Sequence, residues 1–297
     1  LGDFDGDGFD DLAISAQLHD SKRGQVVIVR GGPGFPAVVS VADGIGSRVI
    51  VLEGENADDG FGSNLVGIGK FYGGLGNGIV VSAPYAAGGA GRVYAFRGGQ
   101  AGTNGVIQAA NATHSIEGGP DTAAGLALGI VGPIGGSFGF LIGNPLPATA
   151  PGSAYLTLGH TSTGPFAPSK HTLTSSTTVG RRRDGFGNVT LGGGFSGRTT
   201  YVNLIGDSTP DLVVAASREE SGTKPPRLYF LDGRRLSGLP ENVDVATAAD
   251  LIVSLPSDWV GTTSFNTLLR DVNGDGYADI AIGDYNSFVP GRVAIFW

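Results

Sequence analysis

Asp3-Phe-Asp5-Gly-Asp7-Gly-Phe9-Asp-Asp11-Leu-Ala-Ile-Ser15 opens the chain, and Asp271-Val-Asn273-Gly-Asp275-Gly-Tyr277-Ala-Asp279-Ile-Ala-Ile-Gly283 repeats it near the other end. A partial copy, Asn203-Leu-Ile-Gly-Asp207-Ser-Thr-Pro-Asp211-Leu-Val-Val-Ala215, lies between them. Two further segments keep only the apolar half, Ile79-Val-Val-Ser-Ala-Pro84 and Phe140-Leu-Ile-Gly-Asn-Pro145. Aligned on that half, the five copies begin at residues 3, 70, 131, 203 and 271, with spacings of 67, 61, 72 and 68 residues. A recurrence of this kind marks a tandem-repeat architecture.

Further short apolar runs bounded by Gly and Pro recur inside each unit and read as strands. One set is Gly24–Val29, Gly91–Phe96, Ala154–Leu158, Arg227–Leu231 and Gly291–Phe296; a later set includes Arg48–Leu52 and Leu251–Leu255. A Gly- or Phe-marked segment precedes the loop in the last four units, as at Gly60-Phe61-Gly62 and Gly185-Phe186-Gly187. The expected unit is therefore four strands in about 65 residues, with boundaries near 1–59, 60–121, 122–183, 184–261 and 262–297. No stretch carries a sustained helical period; a short helix near Asn242–Ala249 stays open. Four-stranded units in tandem predict an all-β fold, a β-propeller in which each blade buries its faces against its neighbours.

The acidic loops carry the chemistry. A hard cation such as calcium takes roughly six to eight oxygen ligands in flexible geometry. In the first loop Asp3, Asp5 and Asp7 supply side chains at alternate positions, Gly8 permits a sharp turn, Phe9 offers its carbonyl and Asp11 closes the set. The last loop repeats this with Asp271, Asn273, Asp275, the Tyr277 carbonyl and Asp279. An EF-hand would need Glu at the twelfth position, where Ile14 and Ile282 stand, so that reading fails. The competing reading is an acidic turn without metal, but three crowded carboxylates repel one another unless a cation joins them. The middle loop is a third, weaker candidate: it keeps Asn203, Asp207 and Asp211, with Ile205 and Pro210 breaking the pattern. In the second and third units Lys70, Tyr72 and Gly78, then Val131, Pro133 and Gly139, replace the ligands, so those loops are expected to stand without metal.

The Phe-Gly segment, the Asp-rich loop and Ser82-Ala83-Pro84 together resemble FG-GAP repeats, the units of the integrin α-chain propeller and its bacterial extracellular relatives. The pair is clear only at Phe61-Gly62 and Phe186-Gly187; Ala124-Gly125 and Phe265-Asn266 stand in elsewhere. The resemblance implies a calcium-stabilised propeller, usually seven-bladed, whose cation loops lie on one face while loops on the other contact partners. Five units, the first without a leading strand and the last without a fourth, suggest a segment of such a ring; a closed five-bladed ring is the alternative. On the non-calcium face the resemblance places residues 17–24, 85–91, 144–152, 217–226 and 285–290, with Tyr85, Arg218, Tyr285 and Phe288 as first contact candidates. The long stretch Gly159–Gly185 is another candidate contact surface.

Composition narrows the rest. Of 297 residues 53 are Gly, about 18 % against an ordinary share of roughly 7 %, and they follow no collagen triplet; they serve tight turns and crowded strands. With no Cys there are no disulfides, thiolate metal sites or thiol catalysis. Met is absent even at position 1, which suggests a processed chain, and no apolar run reaches the roughly 20 residues of a membrane helix. The net charge of −8 argues against nucleic acid, and Arg181-Arg182-Arg183 reads as a solvated loop. Eight of the 27 acids lie in the first and last loops, leaving 19 acids against 19 bases elsewhere. His19, His114, His160 and His171 occupy unrelated places in the repeat, and no nucleophile elbow or phosphate loop is present. The expectation is a secreted or cell-surface binding or adhesion module holding two calcium ions and contacting a protein or glycan. The rivals are a surface-layer or filament subunit joined through its terminal strands and, with carboxylates brought together across blades, a carbohydrate-active enzyme.

Overall fold

The computed structural model describes residues 1–70, 75–100, 102, 104–119, 123–134, 137–144, 153–158, 169–174, 186–191, 209, 211–216, 227–256, 265–275, 279–284 and 292–296. Among them are twenty strands and only short helical segments of three to six residues, so the protein is all-β, and the described strands form five small sheets. None of the helical turns is long or apolar enough to cross a membrane. The described residues divide into two compact units, those up to Leu126 and those from Ala127 on.

The first unit holds two sheets. One contains β1 (Leu12–Ala16), β2 (Gln25–Val29) and β3 (Val49–Glu53); the other contains β4 (Leu65–Gly67), β5 (Ile79–Ala83), β6 (Arg92–Phe96) and β8 (His114–Glu117), in that antiparallel order. Side chains alternate across a strand, and both faces of β2 and β3 are apolar. Val26, Ile28, Ile50 and Leu52 join one cluster with Phe61, Ile79, Val81, Tyr94 and Phe96, while Val27, Val29, Val49 and Val51 form another. Burial on both faces accounts for strands that read as unbroken apolar runs.

The fourth strand of the first sheet comes from elsewhere in the sequence. β7 (Val106–Gln108), part of the connection between β6 and β8, lies parallel to β3 with Leu52 opposite Ile107. It runs straight into a 3-10 turn at Ala109–Asn111, and Ile107 and Ala109 are buried.

Phe61 shows what the Phe-Gly pair does where the chain enters the second repeat. Its ring is fully buried, edge-on to Tyr94 at 5.5 Å and to Phe96 at 6.3 Å. Its backbone binds the turn between β1 and β2: the amides of Gly60 and Phe61 donate to the Lys22 and Arg23 carbonyls at 2.8 and 3.2 Å, and Gly54 donates to Gly24 at 3.0 Å. The turn is left-handed, with φ of 45°, 54° and 59° at Asp20, Ser21 and Lys22. The turn between β5 and β6 copies it. Ala123 and Ala124 donate to Gly89 and Ala90, both at 3.0 Å, and Gly118 donates to Gly91 at 2.9 Å. The approach is so close that a Cβ on Gly24 would overlap the Phe61 carbonyl, and one on Gly91 the Ala124 backbone.

The second unit repeats the antiparallel strand order and the borrowed strand. β9 (Ala127–Ile134), β10 (Ser137–Asn144), β11 (Ser153–Leu158) and β12 (Ser169–Thr174) form one sheet, and β12 accepts a parallel strand, β16 (Asn242–Asp244). β13 (Phe186–Leu191), β14 (Leu212–Ala216), β15 (Arg227–Leu231) and β17 (Leu251–Ser254) form the next; β18 (Phe265–Arg270), β19 (Asp279–Asp284) and β20 (Arg292–Phe296) form a three-stranded one. The core gathers Leu141, Leu156, Leu173, Leu212, Val214, Tyr229 and Leu231. A one-turn helix does occur near the expected place, at Val245–Ala248, with the Asp244 carboxylate accepting from the Ala246 amide at 3.0 Å.

One expectation is corrected. Residues 131–139 were expected to include a metal-free loop, but β9 continues through Val131 and Pro133 to Ile134 and β10 already starts at Ser137. With no acids to gather around a cation, the two strands extend towards each other and pair.

The joint gives a measurable contrast. Ala at a left-handed glycine costs about 1–2 kcal/mol, which is all Gly34→Ala should show, since nothing lies within 4 Å of its Cβ position. Gly24→Ala adds a backbone overlap and should cost at least about 3 kcal/mol. Urea midpoints of the two variants would test this; equal losses would mean the joint yields freely.

Candidate metal centre

The first loop is held by its own carboxylates. Asp3 accepts from the Gly6 and Asp7 amides on one oxygen, at 2.6 and 3.1 Å, and from Gly8 on the other at 3.0 Å. Asp5 accepts from Asp7 at 3.2 Å, and Asp7 from Phe9 at 2.9 Å. Phe4, between two acids, points the other way into the core and is fully buried, which pins the loop to the sheets. The loop also packs on its neighbour, the Asp3 carbonyl accepting from Asn77 and the Phe4 carbonyl from Gly99.

Asp11 ties the loop shut. One of its oxygens accepts from the Phe4 amide at 2.6 Å, the other from Gly31 at 2.8 Å. Burial pushes its carboxyl above the ordinary range, those two amide bonds oppose the shift, and the nearby Asp5 charge adds to it. Asp3, Asp5 and Asp11 bring one oxygen each within 4.8 Å of one another. Asp7, whose carboxylate faces the Phe9 amide, stands outside that group, and Phe9 is about half exposed beside it.

The described residues of the last loop repeat four of these bonds. Asp271 accepts from Gly274 at 2.6 Å and Asp275 at 3.1 Å, and the Asn273 side chain accepts from Asp275 at 2.8 Å. Asp279 is buried and accepts from the Val272 and Asn273 amides at 2.7 and 3.2 Å. Tyr277 lies outside the described residues, as do Asn203 and Asp207 of the middle loop. Asp211 is described: it is buried, and the Gly233 amide donates to it at 3.1 Å, as Gly31 does to Asp11. Of the proposed contact residues, Tyr85 is 57 % exposed, its ring against Gly60; Arg218, Tyr285 and Phe288 lie outside the described residues.

Two participants escape a search for acids. Arg30 places Nε 3.3 Å from Asp5 and donates from its terminal nitrogen to the Ser47 carbonyl at 2.8 Å. Its Nε is buried and makes no hydrogen bond, so the contact with Asp5 is electrostatic. Gly31 is the second. A Cβ there would overlap the Asp10 carbonyl, as one on Gly98 would overlap Gly76 in the neighbouring unit. Both glycines sit two residues past the end of a strand, in Val29-Arg-Gly31 and Phe96-Arg-Gly98, and Leu231-Asp-Gly233 repeats the step; that repeat was the available signal.

The loop, β1 and β2 coincide with a family boundary: the model of the FG-GAP repeat matches residues 1–29. The chain carries an FG-GAP repeat. No curated protein matches the chain. Within this FG-GAP repeat all four acids accept from backbone amides; Asp11 is buried, Asp3 and Asp5 are half-buried, and Asp7 is exposed.

Asp11→Ala should therefore destabilise the protein even in excess chelator, by about 1–3 kcal/mol, because two amides lose their acceptor. Thermal or urea unfolding of the chelated variant checks this. A change visible only with calcium present would reduce Asp11 to a ligand.

Proposed function

We propose that the protein is a calcium-stabilised extracellular interaction module, a β-propeller segment of FG-GAP repeats, secreted or displayed at a cell surface. The observation that carries the reading is the convergence of Asp3, Asp5 and Asp11. Oxygens bound to one calcium ion at about 2.4 Å lie at most about 4.8 Å apart, and these three meet that limit. The donor set fits the ion, being all hard oxygen. The last loop, with the same internal bonds around Asp271, Asn273, Asp275 and Asp279, is the second site; the Phe9 and Tyr277 carbonyls complete the two sets. The ion would offset the repulsion of crowded carboxylates and fix the loop against the sheets, a stabilising rather than catalytic role.

Binding then belongs to the opposite side. The left-handed turns at residues 17–24 and 85–91 follow β1 and β5, the first at the other end of β1 from its acidic loop, and they expose Leu18 and Tyr85 at 70 % and 57 %. Loops held by rigid sheets are common places for recognition, and these would meet a protein or glycan. A second reading, assembly into a layer or filament, draws on exposed apolar residues of β1 and β20: Leu12, Ile14, Val293 and Ile295. Sedimentation that depends on protein concentration and is abolished by Leu12→Lys would favour it.

Calcium titration by calorimetry should show two sites, and chelation should lower the melting temperature. Asp3→Asn combined with Asp5→Asn should leave one site. An unchanged melting temperature in excess chelator would refute the stabilising role. Arg30 sharpens the test, because a fixed positive charge beside Asp5 opposes a divalent ion. Arg30→Gln should tighten the first site about three- to tenfold; weaker binding would instead make Arg30 the group that orients Asp5.

A further inference from the structure

Asn-Gly is the pair in which a backbone most readily attacks its own side chain, because a glycine nitrogen reaches the asparagine carboxamide with no Cβ of its own in the way. The chain holds three such pairs, Asn77-Gly78, Asn104-Gly105 and Asn273-Gly274. In two of them the attacking nitrogen is already engaged. The Gly78 amide is buried and donates to the Gly69 carbonyl at 2.7 Å; the Gly274 amide donates to the Asp271 carboxylate at 2.6 Å. Their carboxamides are held as well. That of Asn273 donates to Asp275 at 3.0 Å and accepts from the Asp275 amide at 2.8 Å, and that of Asn77 lies where a Cβ on Gly2 would overlap it.

Asn104-Gly105 differs on both counts. Asn104 is exposed, with φ of 52°, and Gly105 follows at 81°, a left-handed turn that this pair suits. Among the described residues, neither the Asn104 carboxamide nor the Gly105 amide has a hydrogen-bond partner. The turn also stands where a change of backbone length matters. The Gly105 carbonyl accepts from the Val51 amide at 2.9 Å, and Gly105 lies so close to Gly46 that a Cβ would overlap its backbone. β7 starts at the next residue, its Val106, Ile107 and Gln108 opposite Val51, Leu52 and Glu53 of β3. Ile107 is buried there, and the Gln108 side chain donates to Glu53 at 2.6 Å.

We propose that Asn104 is a site of spontaneous covalent modification that unfastens β7 from β3. The Gly105 nitrogen bonds to Cγ of Asn104, the Cγ–Nδ2 bond breaks, and ammonia leaves with the proton of the Gly105 amide. Water, the one co-reactant, then opens the five-membered imide. Opening at one carbonyl gives an aspartate on an ordinary backbone. Opening at the other gives an isoaspartate, whose main chain runs through the former side chain and is longer by a methylene. The longer chain cannot keep Gly105 both packed on Gly46 and beneath the Val51 amide, so β7 loses its anchor. The site stands apart from the acidic loops and does not depend on calcium.

The whole chain, aged in mildly alkaline buffer with excess chelator, tests this by mass-spectrometric peptide mapping of the three pairs. Position 104 should convert at least about tenfold faster than 273 or 77, where a hydrogen bond or the surrounding chain must open first. Conversion at 104 no faster than at the other two would overturn the site. Amide hydrogen exchange then reads the consequence. In the separated isoaspartate form the Val51 amide should exchange about tenfold faster or more than in fresh protein. Asn104→Asp, which carries the new charge on an ordinary backbone, should keep the fresh rate, and so should Asn104→Gln after ageing. Unchanged exchange in the isoaspartate form, or the same loss in either variant, would overturn the unfastening of β7.

Discussion

Strands such as β2 and β3 bury apolar side chains on both faces with no long helix among the described residues to cover them, and the constraint that makes this possible in the first unit is backbone contact at the turns. At Gly24 and Gly91 the left-handed turn of one sheet touches the chain entering the next, closely enough that no Cβ fits between them. Three hydrogen bonds seal each contact, from Gly54, Gly60 and Phe61 in one case and from Gly118, Ala123 and Ala124 in the other. The joint positions Phe61 over Tyr94 and Phe96. Where Ala124 replaces Phe61 the backbone bonds persist, so the contact is set by the main chain and the aromatic ring adds burial to it.

This order of importance explains which parts of the fold were legible in the sequence. β2, β6 and β15 coincide with apolar runs at Gly24–Val29, Gly91–Phe96 and Arg227–Leu231, because burial on both faces writes itself as an unbroken stretch of Val, Ile, Tyr and Phe. β7 and β16 were not legible. A three-residue strand has room for one decisive apolar residue, Ile107 or Val243, and nothing local says that its partner is a parallel strand more than fifty residues away. The β9–β10 hairpin was hidden for a different reason. Pro133 and the lost ligands made 131–139 read as loop, although loss of the acids removes the need for a loop there.

The acidic loop divides in the same way. Its carboxylates and their alternation are plain in the sequence, since a hard cation and a tight turn both need Asp and Gly at those positions. What the sequence conceals is that the carboxylates serve two masters. Asp11, Asp211 and Asp279 are all buried acceptors for backbone amides, and Asp211 keeps that bond in a loop whose pattern is broken at Ile205 and Pro210. The closing acid is thus part of the scaffold.

Arg30 carries this argument one step further. The outer acids of the first loop would repel one another if left alone, yet Asp5 already has a guanidinium 3.3 Å away. Arginine cannot collect three carboxylates around one point as an ion does, because its charge is spread over a planar fork. It can relieve one of them from the side, and its anchor on the Ser47 carbonyl keeps it there. In the last loop Asn273 stands at the position of Asp5, with one fewer negative charge in the same geometry. The two loops thus lower their repulsion by different means, one by importing a positive charge from β2 and its following residue, the other by omitting a negative one. In both loops the remaining acids are held by backbone amides of the loop itself.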